Sequence, residues 1–268
     1  MDKKKRFNQV CKDIKSIKIQ GARNIAKAGL QAYRLFPTPA SKKKLLSLRL
    51  TEPMLENVLN MADETPYPRL LFHFGQAQDE INKHVLGLIK TKDIIYTHCH
   101  STNVSNALIY AKKKGKKFEV YNTETRPLMQ GRRTAKELRS AGIKVTMFVD
   151  SAVDIALSGK QKNKKADKIF LGADALTKQG IVNKVGSGTI AKLAMINKIP
   201  LYIIADSWKY TKHKVPMESR GLNEVWNQAP KNIKIKNPSF EFVPKKYITK
   251  IITEHGSLSY NQFLKKVS

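Results

Sequence analysis

Acidic residues are scarce for a chain of this size. The 268 residues carry 21 Asp and Glu against 50 Lys and Arg, a formal charge of +29 with an isoelectric point near 10.1. Such a surplus attracts polyanions, whether RNA, acidic proteins or phosphorylated metabolites. Yet no aromatic residue interrupts the lysine runs at 3–5, 42–44, 112–117 and 160–165. The stacking surface that single-strand binders build is therefore missing from them. The runs read as a solvated, lysine-biased surface, and nucleic acid is not an expected partner. Cysteine is nearly absent: Cys11 and Cys99 exclude a disulfide framework. No apolar run approaches the ~20 residues that a membrane helix requires, so no membrane association is expected. The opening Met1-Asp2-Lys3-Lys4-Lys5-Arg6 is followed by no apolar stretch, so no secretory signal is read and a cytoplasmic location is expected.

Hydrophobic residues make up 41%, enough for a substantial core. Their spacing divides the chain. Over 7–34, 39–61 and 67–91 apolar residues recur at helical intervals, as with Ile14, Ile17, Ile25 and Leu30, and prolines 37, 39, 66 and 68 separate the segments. From residue 93 the period shortens. Apolar runs at 94–97, 118–123, 144–149, 168–171, 201–205 and 248–253 alternate with helical stretches at 103–113, 134–141 and 188–197. That alternation predicts βαβ units and a parallel sheet. The expected architecture is α/β: a helical N-terminal domain over 1–91, then a Rossmann-like, doubly wound domain over 92–268.

Polar residues cluster where these strands should end. They are Thr97-His98-Cys99-His100-Ser101, Thr123-Glu124-Thr125-Arg126, Asp150-Ser151, Gly172-Ala173-Asp174 and Asp206-Ser207. In a doubly wound sheet the carboxyl ends of the strands line a ligand crevice. Cys99 lies before a helix start, where a thiol can have its titration lowered and serve as acid, base or nucleophile; the alternative is a small buried strand residue. Asp174 reads as a general base or as a turn cap. His98 and His100 flank Cys99, but alternating strand neighbours do not converge on one metal and further ligands are lacking; neither a metal nor another cofactor is expected. The run from Asn183 to Thr189 reads as a glycine-containing loop entering a helix, suited to phosphate with Lys184 adding charge. It lacks the spacing of a nucleoside triphosphatase. Arg126, with Arg132 and Arg133 nearby, is a further anion candidate or a surface ion pair. Asp150 and Asp206 could instead be helix caps, and Lys209 a solvated lysine.

Taken in order, Ile19-Gln20-Gly21-Ala22, Thr97-His98-Cys99-His100-Ser101, Thr123-Glu124-Thr125-Arg126-Pro127 with Gln130-Gly131, Gly172-Ala173-Asp174, Asn183-Lys184-Val185-Gly186, Asp206-Ser207-Trp208-Lys209-Tyr210 and Asn237-Pro238 resemble the family of initiation factor 2B. That family contains the alpha, beta and delta regulatory subunits of the translation factor. It also contains isomerases for methylthioribose-1-phosphate and ribose-1,5-bisphosphate. The run from Thr123 to Gly131 looks closest to the archaeal ribose-1,5-bisphosphate isomerases. The resemblance implies aldose–ketose isomerisation of a phosphorylated pentose, with Cys99 and Asp174 as the catalytic pair. Gly21, Ala22, Arg23, Ser101, Arg126, Asn183 and Lys184 would hold the substrate. It also implies a homodimer assembled through the C-terminal domain. The alternative it offers is a non-catalytic subunit that binds initiation factor 2 or a phosphorylated ligand. Two positions depart from the isomerases: Gln20 and Phe36 stand where those enzymes carry arginines that help hold phosphate.

Overall fold

A computed structural model describes residues 2–267. Five helices come first: α1 (Lys3–Lys15), α2 (Ala22–Leu35), α3 (Pro39–Leu46), α4 (Pro53–Met61) and α5 (Tyr67–Leu88). Their starts follow local chemistry. Asp2 caps α1, Thr38 caps α3 by accepting from the Ser41 N–H, and proline opens α3, α4 and α5, where its missing N–H is harmless. The apolar period over 39–61 resolves into two helices, because α3 ends after Leu46 and Pro53 restarts the chain as α4. Phe7, Cys11, Ile14, Ile25, Leu45, Leu55 and Leu59 form one buried cluster between α1, α2, α3 and α4. Ala26, Leu30, Met54, Val58, Leu70 and Phe74 form a second, against α5.

The remaining elements alternate: β1 (Ile94–Thr97), α6 (Thr102–Lys113), β2 (Glu119–Thr123), α7 (Gln130–Ser140), β3 (Lys144–Phe148), α8 (Val153–Ser158), β4 (Lys168–Leu171), β5 (Ala175–Leu176), β6 (Gly180–Lys184), α9 (Ser187–Ile196), β7 (Leu201–Ile204), β8 (Phe240–Pro244), β9 (Lys250–Thr253), β10 (Gly256–Leu258) and α10 (Tyr260–Val267). The main sheet runs β10-β9-β7-β4-β1-β2-β3. All its pairings are parallel except the β9–β10 edge. Both faces of its central strands are buried, as parallel sheets require. Ile94, Tyr96, Ile169, Leu171 and Ile203 point into one core, and Ile95, Phe170 and Ile204 into the other. The strand order reverses direction between β1 and β4, which makes their carboxyl ends the topological switch point. At the opposite ends of these two strands Lys168 Nζ meets Asp93 Oδ2 at 2.5 Å, and Asp167 accepts from the Ile94 N–H at 2.7 Å.

A second, antiparallel sheet, β5-β6-β8, was not visible in the sequence. β5 has two residues, and the main partner of β6 lies far along the chain, Lys184 pairing with Phe240. No hairpin signal marks it. Asn183 and Lys184, read from sequence as loop residues, are therefore strand residues, and only Val185-Gly186 turns into α9.

Candidate active site

β1 stops at Thr97, and Cys99 takes a left-handed conformation, φ 65°. A non-glycine residue there is held by its neighbours. The Cys99 N–H donates to Thr125 Oγ1 at 3.0 Å, and the Cys99 carbonyl accepts from Thr134 Oγ1 at 2.9 Å. Thr125, at the end of β2, is itself left-handed at φ 63°, and its N–H donates to Asp150 Oδ1 at 2.9 Å. Three neighbouring strand ends thus brace one another. Asp150 caps this turn; the helix-cap alternative does not hold for it. Asp206 does cap a short 3-10 turn, accepting from the Trp208 N–H at 2.9 Å.

Opposite Cys99, β4 ends in Gly172-Ala173-Asp174. A Cβ on Gly172 would fall 2.5 Å from Ser101 Oγ, so glycine lets the ends of β1 and β4 approach. The Asp174 N–H donates to the Val182 carbonyl at 2.9 Å, which ties the aspartate to the second sheet. Cys99 and Asp174 both line one crevice. Gly21, Ala22, Arg23, Ser101, Asn183 and Lys184 line it too. Gly21, at φ 82°, precedes α2 and offers it no side-chain cap, and with Ala22 and Arg23 it brings the start of α2 to the crevice.

The crevice also gathers Arg49, Glu52 and Arg220, which the sequence did not single out, together with Gln130 and Lys209. Phe36 does not supply a crevice wall; it packs edge-on against Phe7 in the helical core, ring centroids 6.1 Å apart. Arg49, further along the chain, lines the crevice instead. Lys209 is 6% exposed, not solvated, and its Nζ donates to the Ala173 carbonyl at 2.7 Å. Arg23, Arg49, Lys184, Lys209 and Arg220 line it together with Glu52 and Asp174, so its lining carries a positive excess; Arg133 also lines it but pairs with Glu137 at 2.8 Å.

Burial sets the protonation states. It pushes the Cys99 thiol up to about 11, against Lys184, which pulls it down. The expectation of a lowered thiol therefore does not hold: desolvation outweighs the nearby cations, and Cys99 carries its proton at neutral pH. Burial also raises Asp174 above the usual carboxylate range, with Lys209, Lys184 and Arg49 holding it down. Glu52 is pushed up to about 8 by burial and by Asp174, against Arg49.

Three expectations change. Arg126 does not line this crevice; its guanidinium donates to the Val225 carbonyl at 3.1 Å and borders a neighbouring cavity. The start of α9 does not offer its N–H groups to a phosphate, because the Glu241 carboxylate accepts from Gly186 at 2.5 Å and Gly188 at 3.0 Å. His98 and His100 both reach the crevice, since the left-handed Cys99 breaks the strand alternation. His98 nevertheless spends both ring nitrogens, on Thr123 Oγ1 at 2.6 Å and the Val185 carbonyl at 2.9 Å, and burial lowers its titration. Elsewhere, His73, Asp206 and Glu254 place donor atoms within 4.8 Å of one another. These groups are already engaged: His73 Nε2 meets Asp206 at 3.1 Å, and Glu254 accepts from the Ser207 N–H and hydroxyl. Among the described residues no helix is long and apolar enough to cross a membrane.

The fold is thus that of a doubly wound α/β protein whose switch-point crevice brings Cys99, Asp174 and a surplus of basic side chains together. The model of the Initiation factor 2 subunit family matches residues 67–260, and the chain belongs to that family. It is 34% identical to a ribose 1,5-bisphosphate isomerase of Methanocaldococcus jannaschii, over 91% of this chain and 88% of that one. A ribose 1,5-bisphosphate isomerase of Archaeoglobus fulgidus is 31% identical, over 93% of this chain and 88% of the relative. The solved translation initiation factor eIF-2B of Pyrococcus horikoshii OT3 superposes with a TM-score of 0.82 at 25% identity, covering 95% of this chain and 97% of that one.

Proposed function

We propose that the protein isomerises a phosphorylated pentose between aldose and ketose forms, with ribose 1,5-bisphosphate the favoured substrate. The observation that carries this reading is the meeting of Cys99 and Asp174 in one buried crevice ringed by basic side chains. A sugar 1-phosphate cannot open to a free aldehyde while its phosphate remains on C1. Opening therefore needs a proton on the ring oxygen as the bond from C1 to that oxygen breaks. Cys99, protonated to about 11, supplies it, and Lys184 and Arg220 steady the thiolate left behind. The C2 hydroxyl proton passes to Asp174 while the hydrogen on C2 moves with its electron pair to C1. A ketone forms at C2, and one proton returns from Asp174 to Cys99 through solvent. Acid and base roles of this kind each contribute roughly 10²–10⁴-fold.

The second phosphate is favoured by what lines the walls. Arg23, Arg49, Lys184, Lys209 and Arg220 line it with Glu52 and Asp174, Glu218 lies beside two of the arginines, and few apolar side chains border the crevice. A pentose 1-phosphate with an apolar C5 substituent would forgo a charge-assisted contact worth roughly 1.5–3 kcal/mol. Phosphorus NMR of the purified protein with ribose 1,5-bisphosphate and with methylthioribose-1-phosphate tests this. Conversion of the bisphosphate with kcat/KM at least about tenfold higher is expected; no turnover of either overturns the reading.

The same reading extends to Gly21, Ala22, Arg23, Ser101, Asn183 and Lys184 as substrate-binding residues, and to a division into a helical domain over 1–91 and a Rossmann-like domain over 92–268. It includes a homodimer and a cytoplasmic location. The likeness to eIF-2B favours a second reading, a regulatory subunit that binds initiation factor 2. Capture of that factor together with absence of turnover would select it.

A further inference from the structure

Glu52 occupies the position that starts α4, where a carboxylate ordinarily caps the helix by accepting from its first N–H groups. It makes no such bond. Its side chain turns away from the helix into the crevice, 2% exposed, with Arg49 Nη2 3.8 Å from Oε1. Oε2 is buried and has no hydrogen-bond partner. A buried carboxyl oxygen without a partner is expensive in a folded protein, by about 1–3 kcal/mol. A helix cap was available locally and is not used.

Arg49 Nε and Arg220 Nε and Nη1 are likewise buried without hydrogen bonds. Arg49 Nη2 lies 3.6 Å from Glu218, and Arg220 lies 3.3 Å from Glu218 and 3.9 Å from Glu224. The crevice lining therefore includes an acceptor, Glu52 Oε2, with no partner, beside arginines held only by long ion pairs. A pocket lined by unsatisfied buried polar groups is what a polar ligand completes.

We propose that Glu52 is a substrate-binding residue whose free carboxyl oxygen bonds an oxygen of the bound sugar phosphate. This rests on the isomerase reading for the identity of the sugar, but not for the existence of the contact. Glu52 can do this beside an anion only while it is neutral. The groups facing it are Arg49 on its own segment, Glu218 and Arg220 from the irregular stretch between β7 and β8, Asp174 after β4, and Lys209 after β7. Burial and Asp174 raise it to about 8, with Glu218 adding to the rise and Arg49 and Lys209 opposing it. The sign follows from linkage. The proton is present below about 8, so the anion binds there. As pH rises past that point Glu52 ionises, and a negative charge in a buried crevice repels the ligand.

Inorganic sulfate, whose charge is constant across this range, is the probe, with affinity measured by calorimetry from pH 6.5 to 9.5 on the full chain. Wild-type affinity is expected to fall by up to tenfold per unit above about 8, and the Glu52→Gln variant to lose this dependence. With ribose 1,5-bisphosphate, Glu52→Ala is expected to raise KM at least tenfold with a smaller change in kcat. Thermal melting of Glu52→Gln, which keeps shape and hydrogen bonding, confirms that the variant folds. The same pH dependence of sulfate affinity in wild type and Glu52→Gln overturns the proposal. If the wild type turns over no sugar phosphate, the isomerase reading fails, and the sulfate series still decides the role of Glu52.

Discussion

Thr125 is the smallest piece on which the chemistry depends. Its hydroxyl accepts from the Cys99 N–H at 3.0 Å and donates to the Thr123 carbonyl at 3.3 Å. Its own backbone is pinned by Asp150 Oδ1 at 2.9 Å. Replacing it by valine keeps the β-branched shape at the same left-handed φ and removes only the hydroxyl. Thr125→Val is expected to lower stability by about 1–2 kcal/mol and kcat at least tenfold, because the Cys99 turn loses its brace. Thr125→Ser should restore most of both; denaturant melts and steady-state rates check the pair. Cys99 and Asp174 were legible in the sequence because each directly follows a run of buried residues that reads as a strand. Glu52, Arg49 and Arg220 were not. They arrive from a helix start and from an irregular stretch, and no local period predicts that tertiary folding places them beside a strand end.

At the scale of the element, α9 shows how a sequence signal can be right about chemistry and wrong about occupant. Val185-Gly186-Ser187-Gly188 does present helix N–H groups suited to an anion. The anion is Glu241 of β8, delivered by the antiparallel pairing of Asn183 with Glu241. Gly188 leaves the room, since a Cβ there would sit 2.6 Å from Glu241 Oε2. A strand more than fifty positions away supplies the cap, so nothing near the motif in sequence announces it. Glu241→Ala is expected to lower stability by about 1–2 kcal/mol through the uncapped helix and the orphaned N–H groups. Thermal denaturation of the variant measures this. The alternation of β1, β2, β4 and β7 with their helices, by contrast, was legible, because parallel strands buried on both faces read as continuous apolar runs.

Over the whole molecule, the charge of +29 and the crevice act at different ranges. Surface lysines lie in water, where the field between charges decays within about 10 Å at ordinary salt. The buried arginines and lysines of the crevice are screened far less. The sheet organises this arrangement: its order turns between β1 and β4, and that turn brings Cys99 and Asp174 into one crevice, which the helical half lines with Gly21 to Arg23 at the start of α2 and with Arg49 and Glu52 from the turn before α4. The central claim is that this pair moves the protons of a sugar-phosphate isomerisation. The most direct measurement is the turnover of ribose 1,5-bisphosphate, followed by phosphorus NMR, for wild type, Asp174→Asn and Cys99→Ser, with sulfate affinity measured alongside. Wild-type conversion, with each variant slowed by 10²-fold or more while still binding sulfate, is the expected result. Variants that turn over as fast as the wild type would contradict it.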